Sequence, residues 1–144
     1  MNLTGKFQEF LWALEVLFSE ESEFAPNEAA QQKGLARIIN NSEIGAVLVA
    51  RDGDQVVGMV SILFTVSTAL GEKVALLEDM VVSPTVRGTG VGTKLLVEAI
   101  SLARTEGCKR VTLLTDRSNE AAQRFYAKQG FVVSSMVPMR LLLA

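Results

Sequence analysis

The chain has 144 residues, of which 49% are hydrophobic and 21% charged, and its formal net charge is −2. A chain of this length buries about 68–70% of its unfolded surface, so we expect one globular domain over residues 1–144 rather than a disordered segment. The sequence contains no histidine and one cysteine, Cys108, which excludes a Ser-His-Asp relay, a His-ligated or Cys-cluster metal site and an intrachain disulfide.

Two helices are predicted at the start of the chain. Apolar residues at helical spacing predict the first over residues 5–19. Pro26 and Asn27 open the second, which runs to about residue 40 with Leu35, Ile38 and Ile39 facing inward.

The hydrophobic period then changes to that of strands. Runs rich in β-forming residues at 46–50 and 55–66 are joined across Asp52-Gly53, which is a strong hairpin signal. A second hairpin turns near Gly71 into a strand over residues 74–82. Pro84 follows that strand and ends it, because proline cannot donate to a ladder.

Helices and strands alternate in the second half. A third helix is predicted from Val91 to its closure at Gly107, a short buried strand at 111–114, and a fourth helix at 119–129. Two terminal strands are predicted at 131–135 and 139–143. The order predicts a mixed α/β (α+β) fold, largely antiparallel in its first half, with one crossover through the third helix.

Residues 87–92, Arg-Gly-Thr-Gly-Val-Gly, form a glycine loop between a strand and a helix. Its glycines remove side chains that would keep an anion from the main chain. The helix that follows presents unpaired N–H groups and its positive dipole end to the same point, while Thr93 adds a hydroxyl and Arg87 a charge. We therefore predict that this loop holds the pyrophosphate of a coenzyme; a merely structural turn is the alternative.

Two nucleotide-binding patterns fail at the glycine loop. The phosphate-loop pattern needs Gly-Lys-Ser/Thr, but Lys94 stands two residues after Gly92 and is followed by Leu95. The dinucleotide fingerprint needs a third glycine where Thr93 stands, and no βαβ unit opens the chain. Neither nucleotide pattern therefore explains the loop.

Composition also limits partners and location. The chain has no dense Lys/Arg cluster and no apolar run of the roughly 18–20 residues that span a bilayer, so we expect neither a nucleic acid nor a membrane as partner. The N-terminus does not resemble a signal peptide, and a single cysteine fits a cytoplasmic protein. Cys108 begins an apolar run, where packing is a better interpretation than a nucleophilic thiol.

Three motifs resemble one family. Arg87, Gly90 and Gly92 match the signature Arg/Gln-x-x-Gly-x-Gly/Ala, and residues 77–84 look like that family's fourth strand. Residues 119–131 are similar to its Asn…Phe-Tyr-x-x-x-Gly-Phe element. Over nearly its whole length the chain thus resembles the GNAT superfamily of acyl-CoA N-acyltransferases. The resemblance implies a mostly antiparallel sheet flanked by four helices and splayed between its fourth and fifth strands, with acetyl-CoA in the opening.

The resemblance also implies roles for residues of this chain. Main-chain groups of Met80 and Val82, with Val81 between them, would pair with the pantetheine arm and the thioester oxygen. Asn119 would help to hold the coenzyme arm. The pyrophosphate would be held by N–H groups of the residues that follow Arg87: Gly88, Thr89, Gly90, Val91, Gly92 and Thr93.

Tyr126 matches the position that the family often uses as general acid. A departing thiolate needs a proton, and a phenol with a pKa of about 10 can supply one to a base of comparable strength. The alternative is a helix tyrosine that packs beside Phe125.

Glu78 is the best candidate for a general base that takes a proton from the attacking ammonium. Regular alternation would place it on one strand face with Met80 and Val82, and Asp79 on the other. A carboxylate on an otherwise apolar central strand is costly to bury unless it is paired or useful. A structural carboxylate paired with an arginine or a backbone amide is the alternative, and the role of Asp79 stays open.

Two departures concern the N-terminal region. The helical pattern begins by about Lys6, which leaves too few residues for the family's usual first strand. An uncovered sheet edge favours pairing between chains, so a homo-oligomer is a possible state. An acidic loop between the first two helices (Glu20, Glu21, Glu23 and Glu28) either attracts a cationic acceptor or is simply solvated.

The main hypothesis from the sequence is an enzyme that moves an acetyl group from acetyl-CoA to a primary amine, on a small molecule or a peptide. Transfer by direct attack needs no covalent enzyme intermediate, which agrees with the absence of histidine. The alternative is a non-catalytic module that binds acetyl-CoA and acts as a sensor or regulates a partner.

Overall fold

The computed structural model describes residues 28–143, which form two compact units, one ending at Leu114 and the other beginning at Thr115. The first predicted helix, most of the acidic loop and the place of the family's first strand lie outside the described residues.

The first unit contains two helices, four strands and a short 3-10 turn. In chain order they are α1 (Glu28–Ile39), β1 (Gly45–Asp52), β2 (Gln55–Ser67), β3 (Glu72–Val82), the 3-10 turn (Pro84–Val86), α2 (Val91–Thr105) and β4 (Val111–Leu113). Both predicted hairpins are present, since Gly53 and Gly71 adopt the left-handed φ values of +60° and +70° that tight turns use.

The four strands form one mixed sheet in the order β1-β2-β3-β4. β1 pairs antiparallel with β2, and β2 antiparallel with β3. β4 pairs parallel with β3 after the crossover through α2. The predicted fold class, a mixed and mostly antiparallel sheet with flanking helices, is therefore confirmed.

The core is centred on β2, whose residues from Val56 to Ile62 are all buried, on both faces of the strand. α2 packs on the sheet through four buried residues at helical spacing, Leu95, Leu96, Ala99 and Ala103. Burial of a leucine side chain contributes roughly 1.5–3 kcal/mol, so this face firmly holds the N-terminal end of α2 near the end of β3.

Gly58 lets the helix come close to the sheet. A Cβ at this position would lie 2.8 Å from Leu95 Cδ1 and 3.2 Å from the carbonyl oxygen of Val81. Gly58 pairs with Val82, the last residue of β3. A glycine inside a strand often marks such a close approach, and here it positions the first turns of α2 beside the carboxyl end of β3.

Cys108 follows α2 and is half-buried against a cluster formed by Ile62, Ala75 and Ala103. Burial raises the pKa of its thiol; Lys73 lowers it and Glu106 raises it further. A raised pKa leaves less of the reactive thiolate at neutral pH, so the structure supports the packing interpretation.

The second unit contains one helix, α3 (Glu120–Ala127). The predicted strands at 131–135 and 139–143 are wrong, because residues 131–143 contain no strand. Their backbone bonds are local: Phe131 N–H donates to the Tyr126 carbonyl (3.3 Å) and Met136 N–H to Ser134 Oγ (3.0 Å). A β-rich composition indicates fit to a pleated surface but supplies no partner strand.

None of the helices described here combines the length and apolar character needed to cross a membrane.

Candidate active site

The sheet opens between β3 and β4. Their pairing ends at Leu77 opposite Leu113, while β3 continues to Val82 on β2 alone. The far side of residues 78–82, which we call the open edge, therefore has no strand of the described sheet along it. This is the predicted splay between the family's fourth and fifth strands, here β3 and β4.

A β-bulge lies at the start of the open edge. Ser61 pairs with Glu78 and Met59 with Val81, so that Asp79 and Met80 together stand opposite Val60. Among the described residues, Asp79 is the one non-glycine residue with a positive φ, +54°. Left-handed backbone at a residue with a side chain costs roughly 1–2 kcal/mol, and Asp tolerates it better than most residues.

The bulge reverses which residues of β3 point their main-chain groups at the open edge. Before it, Ala75 N–H donates to the Arg110 carbonyl (2.9 Å) beside β4, so residue 75 and its alternate neighbours face that side. After it, Ser83 N–H donates to the Val57 carbonyl on β2 (2.7 Å). Because the main-chain N–H and carbonyl groups of successive residues point to opposite sides of a strand, those of Met80 and Val82 point toward the open edge.

Val81 takes the opposite orientation. It pairs with Met59, its side chain is buried, and the alternation turns its main-chain groups toward β2. Of the three consecutive residues predicted to contact the coenzyme here, Met80 and Val82 have the required orientation, whereas Val81 belongs to the sheet.

The bulge also corrects the predicted faces of β3. Directly paired antiparallel residues share a face, so Glu78 lies on the face of Ser61 and Met59, together with Val81. The alternation that grouped Glu78 with Met80 and Val82 is therefore wrong, because the extra residue shifts the period by one. Glu78 is exposed rather than buried. The cost of burying a carboxylate therefore gives no reason to select Glu78 as a functional residue.

The glycine loop follows the 3-10 turn and contains two left-handed glycines, Gly88 (φ +82°) and Gly90 (φ +91°). A Cβ built on either residue meets no atom within 4 Å. The glycines are therefore required by the backbone conformation and not by crowding, and open space lies where side chains would otherwise project.

The N-terminal end of α2 has unused donors. Gly90 is its N-cap, no side chain caps it, and its first turn contains no acidic residue. Within residues 28–143, no carbonyl or side chain accepts a hydrogen bond from the N–H groups of Gly88, Gly90, Val91, Gly92 or Thr93. These donors and the helix dipole form a site suited to an anion.

Two side chains brace the loop from within. Arg87 Nε donates to the carbonyl of Val82 at 3.2 Å, which ties the loop to the end of β3. Thr89 uses both its N–H and its hydroxyl to bond the Val86 carbonyl. Among the N–H groups predicted to hold the pyrophosphate, that of Thr89 is therefore already engaged. Arg87 has a positioning contact that the sequence did not predict.

Asn119 and Tyr126 lie in the second unit. Asn119 is the N-cap of α3, and its Oδ1 accepts a hydrogen bond from Ala122 N–H at 3.0 Å. Capping uses one polar atom of the predicted coenzyme ligand, and its amide N–H groups remain as donors.

Tyr126 stands near the end of α3 with its ring half-buried between two phenylalanines. Its centroid lies 5.2 Å from that of Phe125 and 5.8 Å from that of Phe131, both in edge-on geometry. These ring contacts fix the side chain's orientation, which serves a packing role and a proton donor equally well.

Sequence reasoning missed the contact between Ser61 and Asp79. Ser61 is fully buried on β2, and its hydroxyl donates to Asp79 Oδ2 at 3.4 Å. A serine within the apolar run of a buried strand was the available signal, since a buried hydroxyl needs a partner.

Known proteins resemble both the sequence and the fold. A model of the Acetyltransferase (GNAT) family matches residues 8–131. An uncharacterized N-acetyltransferase, YhfO of Bacillus subtilis, is 28% identical over 124 residues, which cover 83% of this chain and 81% of that protein. The aminoalkylphosphonate N-acetyltransferase of Salmonella typhimurium is 29% identical over 102 residues, 71% of this chain and 66% of the relative. A solved putative acetyltransferase from Agrobacterium tumefaciens superposes with a TM-score of 0.79 at 26% identity, covering 95% of this chain and 94% of the other.

The splayed mixed sheet, the uncapped start of α2 and these relatives together define the class of the protein, an acetyltransferase. More particularly, the chain belongs to the GNAT family.

Proposed function

We propose that this protein transfers an acetyl group from acetyl-CoA to a primary amine. One observation carries the proposal: the bulged end of β3 turns the main-chain groups of Met80 and Val82 to the open edge, directly before a glycine loop with unused N–H donors. An extended arm can bond the first feature and a pyrophosphate the second, so the pair fits a coenzyme A thioester better than a free phosphate.

The residues present fit the coenzyme. The open space where a Cβ at Gly88 or Gly90 would project allows phosphate oxygens to reach the main chain. Val91, Gly92 and Thr93 offer N–H groups to the same anion. Within the proposal, Arg87 holds the loop against β3, and Asn119 donates its amide N–H groups to the coenzyme arm.

When bound, the coenzyme supplies the acetyl group as a thioester. The main-chain groups at the open edge orient that thioester, and a backbone N–H donor there stabilises the charge that develops on its oxygen. Glu78 accepts a proton from the amine, directly or through water, and Tyr126 donates a proton to the departing sulfur. Neither role requires a covalent intermediate on the protein.

The acceptor is an amine on a small molecule or a peptide. The name of the Salmonella relative records an aminoalkylphosphonate acceptor, so we include phosphonate- and phosphate-bearing amines among the candidates. Within residues 28–143, no group of three or more His, Cys, Asp or Glu residues is placed to hold a metal ion. A cytoplasmic location and a homo-oligomeric state are also part of this proposal.

The deciding experiment measures thiol release from acetyl-CoA with a panel of amines: aminoalkylphosphonates, amino sugars and their phosphates, polyamines, aminoglycosides, amino acids and peptides. We expect saturable, amine-dependent release with at least one group, and a product heavier by one acetyl group in mass spectrometry. Tight coenzyme binding without turnover on any amine would instead support the binding module that is the alternative function.

Glu78→Gln tests the proposed base. We expect kcat/KM for the amine to fall about 100-fold, the lower end of general-base effects, because the amide cannot accept the proton. The loss should shrink at high pH, where more amine is already unprotonated. Coenzyme affinity and Tm should stay unchanged, since Glu78 is exposed. Glu72→Gln, at the far end of the same strand, is the matched control; equal activity of both variants would remove Glu78 from the mechanism.

A further inference from the structure

We propose that Ser61 and Asp79 are positioning residues for the transfer: their hydrogen bond maintains the bulge that turns Met80 and Val82 toward the coenzyme. The inference rests on the proposed function and goes beyond it, since neither side chain has a place in the binding or proton-transfer roles described above.

The backbone at Asp79 needs support from a side chain. A φ of +54° is the left-handed conformation, which is common for glycine and uncommon for other residues. Asp and Asn enter it more readily because a short polar side chain can bond nearby groups. A carboxylate at the bulge that accepts the Ser61 hydroxyl is such a bond, made between neighbouring strands.

Ser61 lies beside the bulge on the neighbouring strand. It is fully buried and pairs with Glu78, the residue directly before Asp79. A hydroxyl removed from water favours any arrangement that gives it an acceptor. In a regular ladder the Asp79 side chain would lie on the face of Val60, which is opposite to the face of Ser61. The observed bond between the Ser61 hydroxyl and the Asp79 carboxylate therefore favours the bulged register.

The bulge decides which main-chain groups the coenzyme meets. A slip of one residue moves every later residue of a strand to the opposite orientation. Without the bulge, Asp79 and Val81 would point their main-chain groups at the open edge, and Met80 and Val82 would bond β2. The acyl-binding donors would then stand one residue out of place relative to the glycine loop, whose position is held by the packing of α2.

Hydrogen exchange measured by NMR on the coenzyme-free chain tests the orientation without reference to activity. We expect the amides of Val81 and Ser83 to be protected in the wild type, and those of Met80 and Val82 to exchange quickly. In Asp79→Val, a β-branched residue that disfavours positive φ, this pattern should reverse. An unchanged pattern in Asp79→Val would overturn the proposed role of Asp79.

Coenzyme affinity, measured by calorimetry on the same variants, links the bulge to function. We expect a loss of at least about tenfold in Asp79→Val, and a change within about threefold in Asp79→Asn, which keeps an acceptor and tolerates positive φ. Ser67→Ala removes another buried serine at the far end of β2, where its Oγ accepts from Leu70 N–H. This control should lower Tm and leave affinity unchanged.

A double-mutant cycle isolates the pair. Asp79→Gly supplies the left-handed backbone without a carboxylate, so Ser61→Ala should weaken coenzyme binding in the wild type and have little further effect in Asp79→Gly. Equal losses in both backgrounds would show that the hydroxyl does not act through Asp79. If no amine is turned over, the proposed function fails while the exchange pattern still decides the role of the pair.

Discussion

Replacement of Gly90 by leucine is expected to weaken acetyl-CoA binding by at least about 100-fold and to leave the fold intact. Gly90 has a φ of +91° and open space where a Cβ would project, so leucine meets no steric clash within the protein. Its side chain instead occupies the place of the pyrophosphate oxygens, and every donor at the start of α2 loses access to them. Calorimetric titration with acetyl-CoA and with free coenzyme A measures the effect.

The cost of placing a non-glycine residue in the left-handed conformation must be distinguished from the loss of pyrophosphate binding. A non-glycine residue there costs roughly 1–2 kcal/mol, which lowers Tm by several degrees in a domain of this size. Gly71→Leu is the matched control, because Gly71 has a φ of +70°, equally open surroundings and a position at the opposite end of β3. We expect a similar fall in Tm with unchanged affinity. Unchanged coenzyme affinity in Gly90→Leu as well would refute the proposal that the glycine loop binds the pyrophosphate.

Tyr126→Phe is expected to lower kcat by about 100-fold or more, within the range for a lost general acid, with little change in Tm or coenzyme affinity. Phenylalanine retains the edge-on contacts with Phe125 and Phe131, so packing is preserved and the hydroxyl alone is removed. Single-turnover measurement of thiol release separates this chemical step from product release.

The converse variant is Phe131→Leu, which keeps the phenol and removes one of its ring contacts. We expect a lower Tm and a fall in kcat much smaller than that of Tyr126→Phe, because the contact with Phe125 still orients the ring. If Tyr126→Phe retains full turnover, Tyr126 has a packing role only, and the proton must reach the sulfur from water or another group.

Local features were predicted well. The two hairpins follow from turns that contain Gly53 and Gly71, because a glycine can supply the positive φ that such turns require. The glycine loop and α2 follow from an equally local pattern, since an uncapped helix start leaves its N–H groups free wherever the helix packs. Asn119 was correctly predicted to begin a helix, although its capping bond to Ala122 was not foreseen.

Features that depend on partners were predicted less well. Residues 131–143 have a strand-like composition but form no strand, because strand formation requires hydrogen bonds to a neighbouring strand and composition does not supply one. Glu78 was expected to be buried because its strand is central and apolar, but the strand separates from β4 directly before it. Burial depends on the assembled sheet, so it cannot be predicted from the residues that flank Glu78 in the sequence.

The order of residues alone was enough to predict the glycine loop at residues 87–92 and the helix that follows it, because helix starts and glycine turns act over a few neighbouring positions. The acetyltransferase family was predicted from the resemblance of three motifs. The tertiary structure decided the orientation of Met80 and Val82. That orientation depends on one extra residue in β3 relative to β2, a strand that lies about 20 positions earlier in the chain. The hydrogen bond between Ser61 and Asp79 accompanies this extra residue. Alternation along a strand has only two states, and the pairing between strands selects one of them.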